Sequence, residues 1–190
     1  ASCTVKKADS HKMDIYILMG QSNMAGRGKL ASEELAPSEK LLMLTEDLEL
    51  VPAKNPLHFD KPKMAGVGPG LSFGELMQKA AHKKVGLVPT AVGGTSIDVW
   101  VPGGFDEVTK KHPYDDAEKR ILQAMKQGTV KGVIWHQGEA DSDPGSAALY
   151  LSKLQQLIAR VRTLTKNQNL PFVVGELGRF KKNAANINQE

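Results

Sequence analysis

The chain reads as an α/β protein with a mainly parallel central sheet and helices on both faces, and three observations carry that reading. Short aliphatic and β-branched runs of strand length recur along the sequence, at Ile15–Met19, Leu41–Leu44, Val85–Val88, Val130–Trp135 and Phe172–Val174. Segments with apolar residues at helical spacing separate most of them, at 71–84, 114–127 and 146–165. Alternation of this kind implies βαβ crossovers, which make neighbouring strands parallel and place helices on the sheet faces. Finally, three of the runs end in glycine or small polar residues, as strands do when they border a ligand crevice.

Residues 1–12 are polar and lysine-rich and read as a tail. The run Ile15–Met19 predicts a buried strand that stops at Gly20, just before Gln21, Ser22 and Asn23. A glycine-rich stretch through Gly28 and a mixed segment, 31–40, follow. Leu41–Leu44 and Leu48–Val51 suit two short strands about the turn 45–47. From Pro52 to Gly70, proline, glycine and lysine without periodicity predict a long surface loop. The 71–84 helix should seat Leu71, Phe73, Leu76, Met77 and Ala80 on the sheet.

The next strand runs from Val85 through Pro89 to Ala91–Val92 and ends at Gly93-Gly94-Thr95-Ser96. Val99–Pro113 reads as an irregular loop, with Trp100 in the core rather than as an exposed platform. Ala117, Ile121, Leu122 and Met125 mark the inner face of the 114–127 helix, and Gly128 reads as its stop. Val130–Trp135 leads into His136-Gln-Gly-Glu-Ala-Asp141. The 146–165 helix carries a stripe of Leu149, Leu154, Leu157, Ile158 and Val161, and the strand Phe172–Val174 leads into Gly175–Gly178.

The 190 residues, 41% of them hydrophobic, are enough for one sizeable core, so the expected organisation is a tail, 1–12, and a single domain, 13–190. The net charge of +4 arises from scattered residues, without the basic and aromatic interleaving of a nucleic-acid surface, so nucleic-acid binding is not expected. No apolar run approaches the ~20 residues that cross a bilayer. A lone Cys3 excludes an internal disulfide. With Ala1-Ser2 before it, Cys3 suggests a processed export signal, and the expected location is periplasmic, extracellular or lipid-anchored through Cys3. Oligomeric state is not set by the sequence.

The chemistry follows from the three strand ends. Parallel strands deliver Gln21-Ser22-Asn23, Gly93-Gly94-Thr95 and His136-Gln137-Gly138-Glu139 to one edge of the sheet. Ser22 supplies a hydroxyl able to attack a carbonyl. Gly94 and Ser22 supply backbone N–H groups for a developing oxyanion, and Gln137 supplies a neutral amide donor. Losing one such donor typically costs ~3 to 4 kcal/mol of transition-state stabilisation. The Gly-x-Ser-x-Gly elbow is absent, since Met24 stands in its last position, and there is no P-loop. His58, His82 and His112 lack metal-ligand spacing, so each reads as a surface or helix histidine and no metal is expected.

Gly20-Gln-Ser-Asn-Met24, the Gly93–Ser96 turn and Trp135-His-Gln-Gly-Glu139, in that order, resemble the signature blocks of the sialate O-acetylesterase-like branch of the SGNH hydrolases, which includes carbohydrate esterase family 6. The resemblance runs from about Asp14 to the end of the chain and implies a flavodoxin-like three-layer αβα sandwich. It implies a serine esterase that removes O-acetyl groups from carbohydrate, either acetylated polysaccharide or sialic acid, and needs no cofactor. Ser22 is then the nucleophile, and its own N–H, the N–H of Gly94 and the side chain of Gln137 form the oxyanion hole. Gln21, Asn23, Gly93, His136 and Glu139 are implied as supporting or substrate-binding residues. The family's general base is a histidine in a C-terminal Asp-x-x-His motif, and these 190 residues contain none. The expectation is therefore a domain lacking that segment. The alternative is a catalytically impaired relative that binds acetylated sugar, and a third arrangement has His136 as the base.

Overall fold

The sheet is organised about its first strand, β1 (Met13–Gly20), which is buried along its whole length. A computed structural model describes residues 13–30, 38–179 and 184–188 of the chain. The tail with Cys3, and most of the mixed segment 31–40, lie outside the described residues. β1 is paired in parallel on one side with β4 (Val85–Pro89) and on the other with β5 (Gly128–His136). Outside these lie β2 (Leu41–Leu44), parallel to β4, and β6 (Phe172–Val174), parallel to β5. β3 (Leu50–Pro52) closes one edge antiparallel to β2, giving the order β3-β2-β4-β1-β5-β6.

Side chains alternate across a strand, and β1 divides its residues between two cores accordingly. Ile15, Ile17 and Met19 join the cluster beneath α3 (Pro113–Met125) and α4 (Pro144–Leu164). Tyr16 and Leu18 join the opposite cluster, against α1 (Ser22–Ala25) and α2 (Pro69–Ala81). Helices on both faces of a mainly parallel six-stranded sheet make the three-layer α/β fold expected from the alternation of elements. A short helix, α5 (Ala184–Asn188), packs on α4. Among the described residues no helix is long and apolar enough to cross a membrane.

Tertiary packing revised several local expectations. α2 does not present its whole apolar stripe to the sheet, for Leu76 is 65% exposed. Gly70 and Gly74 face inward instead: a Cβ on Gly74 would lie 2.9 Å from Leu41 Cδ1 and from Leu87 Cδ1. Leu122 of α3 and Leu149 of α4 also face solvent, while Ala117, Ile121, Ala124, Leu154, Leu157 and Val161 carry the burial. Gly128 is not a helix stop. It opens β5, pressed so close to β1 that a Cβ there would meet the Met13 carbonyl oxygen at 2.3 Å.

The 53–68 stretch is irregular, as expected, but it is not only surface: Ala53, Leu57, His58 and Asp60 are buried. His58, expected at the surface, is 3% exposed, and His82 takes the left-handed position that ends α2. Trp100 is fully buried, packed edge-on to Trp135 with ring centroids 5.1 Å apart.

Candidate functional site

Because β4, β1 and β5 are adjacent and parallel, their carboxyl ends meet at one edge. The chain leaves β1 through Gly20, whose φ of +132° and lack of a side chain are both required. A Cβ there would stand 2.1 Å from the His136 carbonyl oxygen. Gln21 N–H then donates to that same carbonyl at 3.0 Å, so the exits of β1 and β5 stay side by side. On the other side Val92 N–H donates to the Gly20 carbonyl at 2.9 Å and draws in the exit of β4. Ser22, half-buried, opens α1 between them.

The glycine turn follows Val92. Gly93 is buried and Gly94 exposed, the latter at φ +89°, a left-handed conformation that favours glycine. Among the described residues neither the Ser22 nor the Gly94 N–H donates to a protein acceptor. Two donors of the kind an oxyanion needs thus remain available on the turns that flank the end of β1.

Gln137 is 1% exposed, and its side-chain nitrogen reaches the Thr95 carbonyl at 3.0 Å, Gln21 Oε1 at 3.2 Å and, most closely, Asp141 Oδ2. An amide nitrogen has two protons, so the contact to Gln21, the longest of the three, is the weakest held. Asp141, also buried, accepts from Ser96 Oγ and from Ile97 N–H at 2.9 Å, which ties the glycine turn to the Gln137 loop. Tyr150 completes the support: its hydroxyl donates to the Gln137 carbonyl at 2.8 Å and accepts from Trp135 Nε1 at 2.9 Å. Burial pushes the Tyr150 phenol above its ordinary range, so it stays a neutral donor. Trp100 Nε1 donates to Thr95 Oγ1, which itself donates to the Val92 carbonyl.

The remaining candidates take structural places. Asn23 Nδ2 donates to Glu139 Oε1, joining α1 to the loop after β5. The His136 ring lies against Gly175 at the exit of β6, where a Cβ would meet its Cδ2 at 2.5 Å. Two residues without a role in the sequence reading stand behind the glycine turn. Asp60 Oδ2 accepts from Gly93 N–H at 2.8 Å and from Arg27 Nη2 at 2.6 Å. Burial would raise the Asp60 carboxyl, but its bonds to Arg27 and Gly93 prevail and hold it below the ordinary carboxylate range. The signal for Arg27 was its place between glycines in the serine loop, whereas Asp60 had no pattern to mark it. Among the described residues no group of three or more His, Cys, Asp or Glu is arranged to hold a metal ion.

The six-stranded, mainly parallel sheet with helices on both faces is a three-layer α/β fold consistent with that of the SGNH-like hydrolases. Residues 12–190 match the family described as carbohydrate esterase, sialic acid-specific acetylesterase, and the chain belongs to that family. An Arabidopsis thaliana protein named "probable carbohydrate esterase" is 36% identical over 180 residues, covering 84% of this chain and 66% of its own length. The solved structure of that plant protein superposes with a TM-score of 0.83 at 31% identity, covering 94% of this chain and 80% of the other. Human sialate O-acetylesterase is 23% identical over 164 residues, covering 67% of this chain and 31% of the human protein. The crystal structure of NanS shares the fold, with a TM-score of 0.71 at 19% identity, covering 96% of this chain and 74% of that one. The chain thus spans 66% of the plant relative's length and 31% of the human one's.

Proposed function

We propose that the protein is a serine esterase that removes O-acetyl groups from carbohydrate. The observation that carries the reading is the placement of Ser22 at the end of β1, between the Gly94 N–H after β4, which has no protein acceptor among the described residues, and the amide of Gln137 after β5. Ser22 Oγ attacks the acetyl carbonyl, and its proton is passed on to the sugar oxygen that leaves. The carbonyl oxygen, now negative, is received by the Ser22 and Gly94 N–H groups, and collapse of the tetrahedral adduct expels the sugar hydroxyl and leaves an acetyl-serine that water hydrolyses. Gln137 joins the hole by turning one of its two amide protons from the Thr95 carbonyl to the oxyanion, while Asp141 keeps the other. Family membership supports an acetylated carbohydrate as substrate.

The test is turnover of p-nitrophenyl acetate by the full-length gene product, with Ser22→Ala beside it. Loss of about 10⁴-fold or more is expected, because the members of such a catalytic unit act together. Equal rates would overturn the assignment. A second reading has the cleft bind acetylated oligosaccharide without hydrolysing it. Saturable binding with no acetate released supports that reading, and Ser22-dependent acetate release excludes it.

A further inference from the structure

The serine turn and the glycine turn are clamped by one segment of chain that neither belongs to. On the serine side, Gly28 N–H donates to the Val67 carbonyl and Val67 N–H to the Gly28 carbonyl, each at 2.9 Å, and Gly66 N–H donates to the Gly26 carbonyl at 3.2 Å. On the glycine side, the same loop sends in Asp60, whose carboxylate is 1% exposed. One oxygen, Oδ2, holds both Gly93 N–H and Arg27 Nη2. Arg27 in turn donates Nη1 to the Gly26 carbonyl at 2.8 Å, which closes the circuit back to the serine loop. The ion pair occupies the space that a side chain at residue 93 would need: a Cβ on Gly93 would lie 2.3 Å from Arg27 Nη2 and 2.9 Å from Asp60 Oδ2.

We propose that Asp60, acting through Arg27 and the Gly93 N–H, is a positioning residue for the esterase reaction, holding the Gly94 N–H at a constant spacing from Ser22. The inference rests on Ser22 and Gly94 having the roles just described. A buried ion pair is seldom the cheapest route to stability, since apolar groups of the same volume do as well or better. What a carboxylate offers here is two directional bonds from one oxygen, to the two turns whose separation sets the oxyanion geometry. A misplacement of about 1 Å in such a geometry costs on the order of 100-fold in rate. Lys61, whose Nζ would lie 3.7 Å from a Cβ on Gly94, takes no part in this link.

Asp60→Asn tests it in the full-length protein. An asparagine oxygen in the place of Oδ2 can still accept from Gly93, but the residue is neutral and its NH₂ takes the place of Oδ1, 3.5 Å from Arg27 Nη1, donor against donor, so the ion pair that closes the circuit is lost. The expected result is a fall in kcat on p-nitrophenyl acetate of about 10- to 100-fold, with KM changed by less than about threefold. Assays run well below the variant's melting temperature, so a stability loss alone would leave kcat per folded molecule intact. Arg27→Lys gives a second measurement should Asp60→Asn fold poorly. One ammonium cannot reach Asp60 and the Gly26 carbonyl in the fork geometry of guanidinium, so kcat should again fall, by about tenfold. Wild-type kcat in either folded variant, with Ser22→Ala inactive, removes the role of Asp60 and leaves the esterase reading standing. Wild-type turnover by Ser22→Ala removes the reading on which both depend.

Discussion

His58 should make the fold acid-sensitive in a window set by one imidazole. It lies beside Asp60, lining a cavity of about 220 Å³ with Thr90 and Arg120, and among the described residues neither ring nitrogen has a hydrogen-bond partner. Burial disfavours the charged ring, while the Leu18 carbonyl and the Asp60 carboxylate favour it. Burial, reinforced by the cations Arg120 and Arg27, pushes the imidazole down from 6.5 to about 4. The unfolded chain binds a proton at this site below 6.5 and the folded protein only below about 4, so stability falls as pH drops through that interval and levels off beneath it.

At about 1.36 kcal/mol per pH unit, the loss between pH 7 and pH 4 is about 3 kcal/mol, a large part of a typical folding free energy. His58→Gln keeps a polar side chain that does not titrate. Urea unfolding of both proteins at pH 7, 6, 5 and 4 isolates the His58 contribution, because the titrating groups common to both cancel in the difference. Asp60, held below its ordinary value, loses its own contribution only in stronger acid. The wild type should lose stability relative to His58→Gln by about 3 kcal/mol over this range. Parallel curves for the two proteins would refute the reasoning.

Two further outcomes concern the scaffold. Arg120 is buried and donates to the carbonyls of Leu44, Thr45 and Pro89 at 2.7, 2.9 and 2.8 Å, joining the exits of β2 and β4 to α3. Arg120→Met takes the Arg120 donor from the Leu44 and Pro89 carbonyls, while the Thr45 carbonyl keeps Leu48 N–H, and should cost about 3 kcal/mol in urea unfolding, with a change below about 1 kcal/mol counting against the role. Gly74→Val places methyl groups where even a Cβ would crowd Leu41 and Leu87, so α2 must lift from the sheet at a cost of about 2 kcal/mol, and an unchanged melting temperature would show that it does not pack so closely.

The candidate site residues were more legible than the groups that hold them. Ser22 and Gln137 stand just past the ends of β1 and β5, and Gly94 in the turn that follows β4, and a strand running into such a turn is visible in a single run of residues. Asp60 lies in a loop without periodicity and acts on Gly93, thirty-three residues away in sequence. Asp141 was visible as a member of the run after Trp135, but its partners Ser96 and Ile97 come from another turn. His58 was misplaced for a similar reason: a histidine among prolines and lysines looks solvated until the loop is seen to turn inward beneath the exit of β4.

By itself the sequence determined which segments are strands and helices, because hydrophobic periodicity is local, and it determined that three chemically distinct turns follow three parallel strands. Only the tertiary structure decided the strand order that sets β1 between β4 and β5, and which apolar residues stay exposed. It also turned the 53–68 loop inward as a clamp on the turns beside Ser22. Those outcomes depend on close approach between distant residues, at Gly20 against His136, Gly74 against Leu87 and Gly93 against the Arg27–Asp60 pair. Contact of that kind is set by the available space, which no stretch of sequence specifies alone.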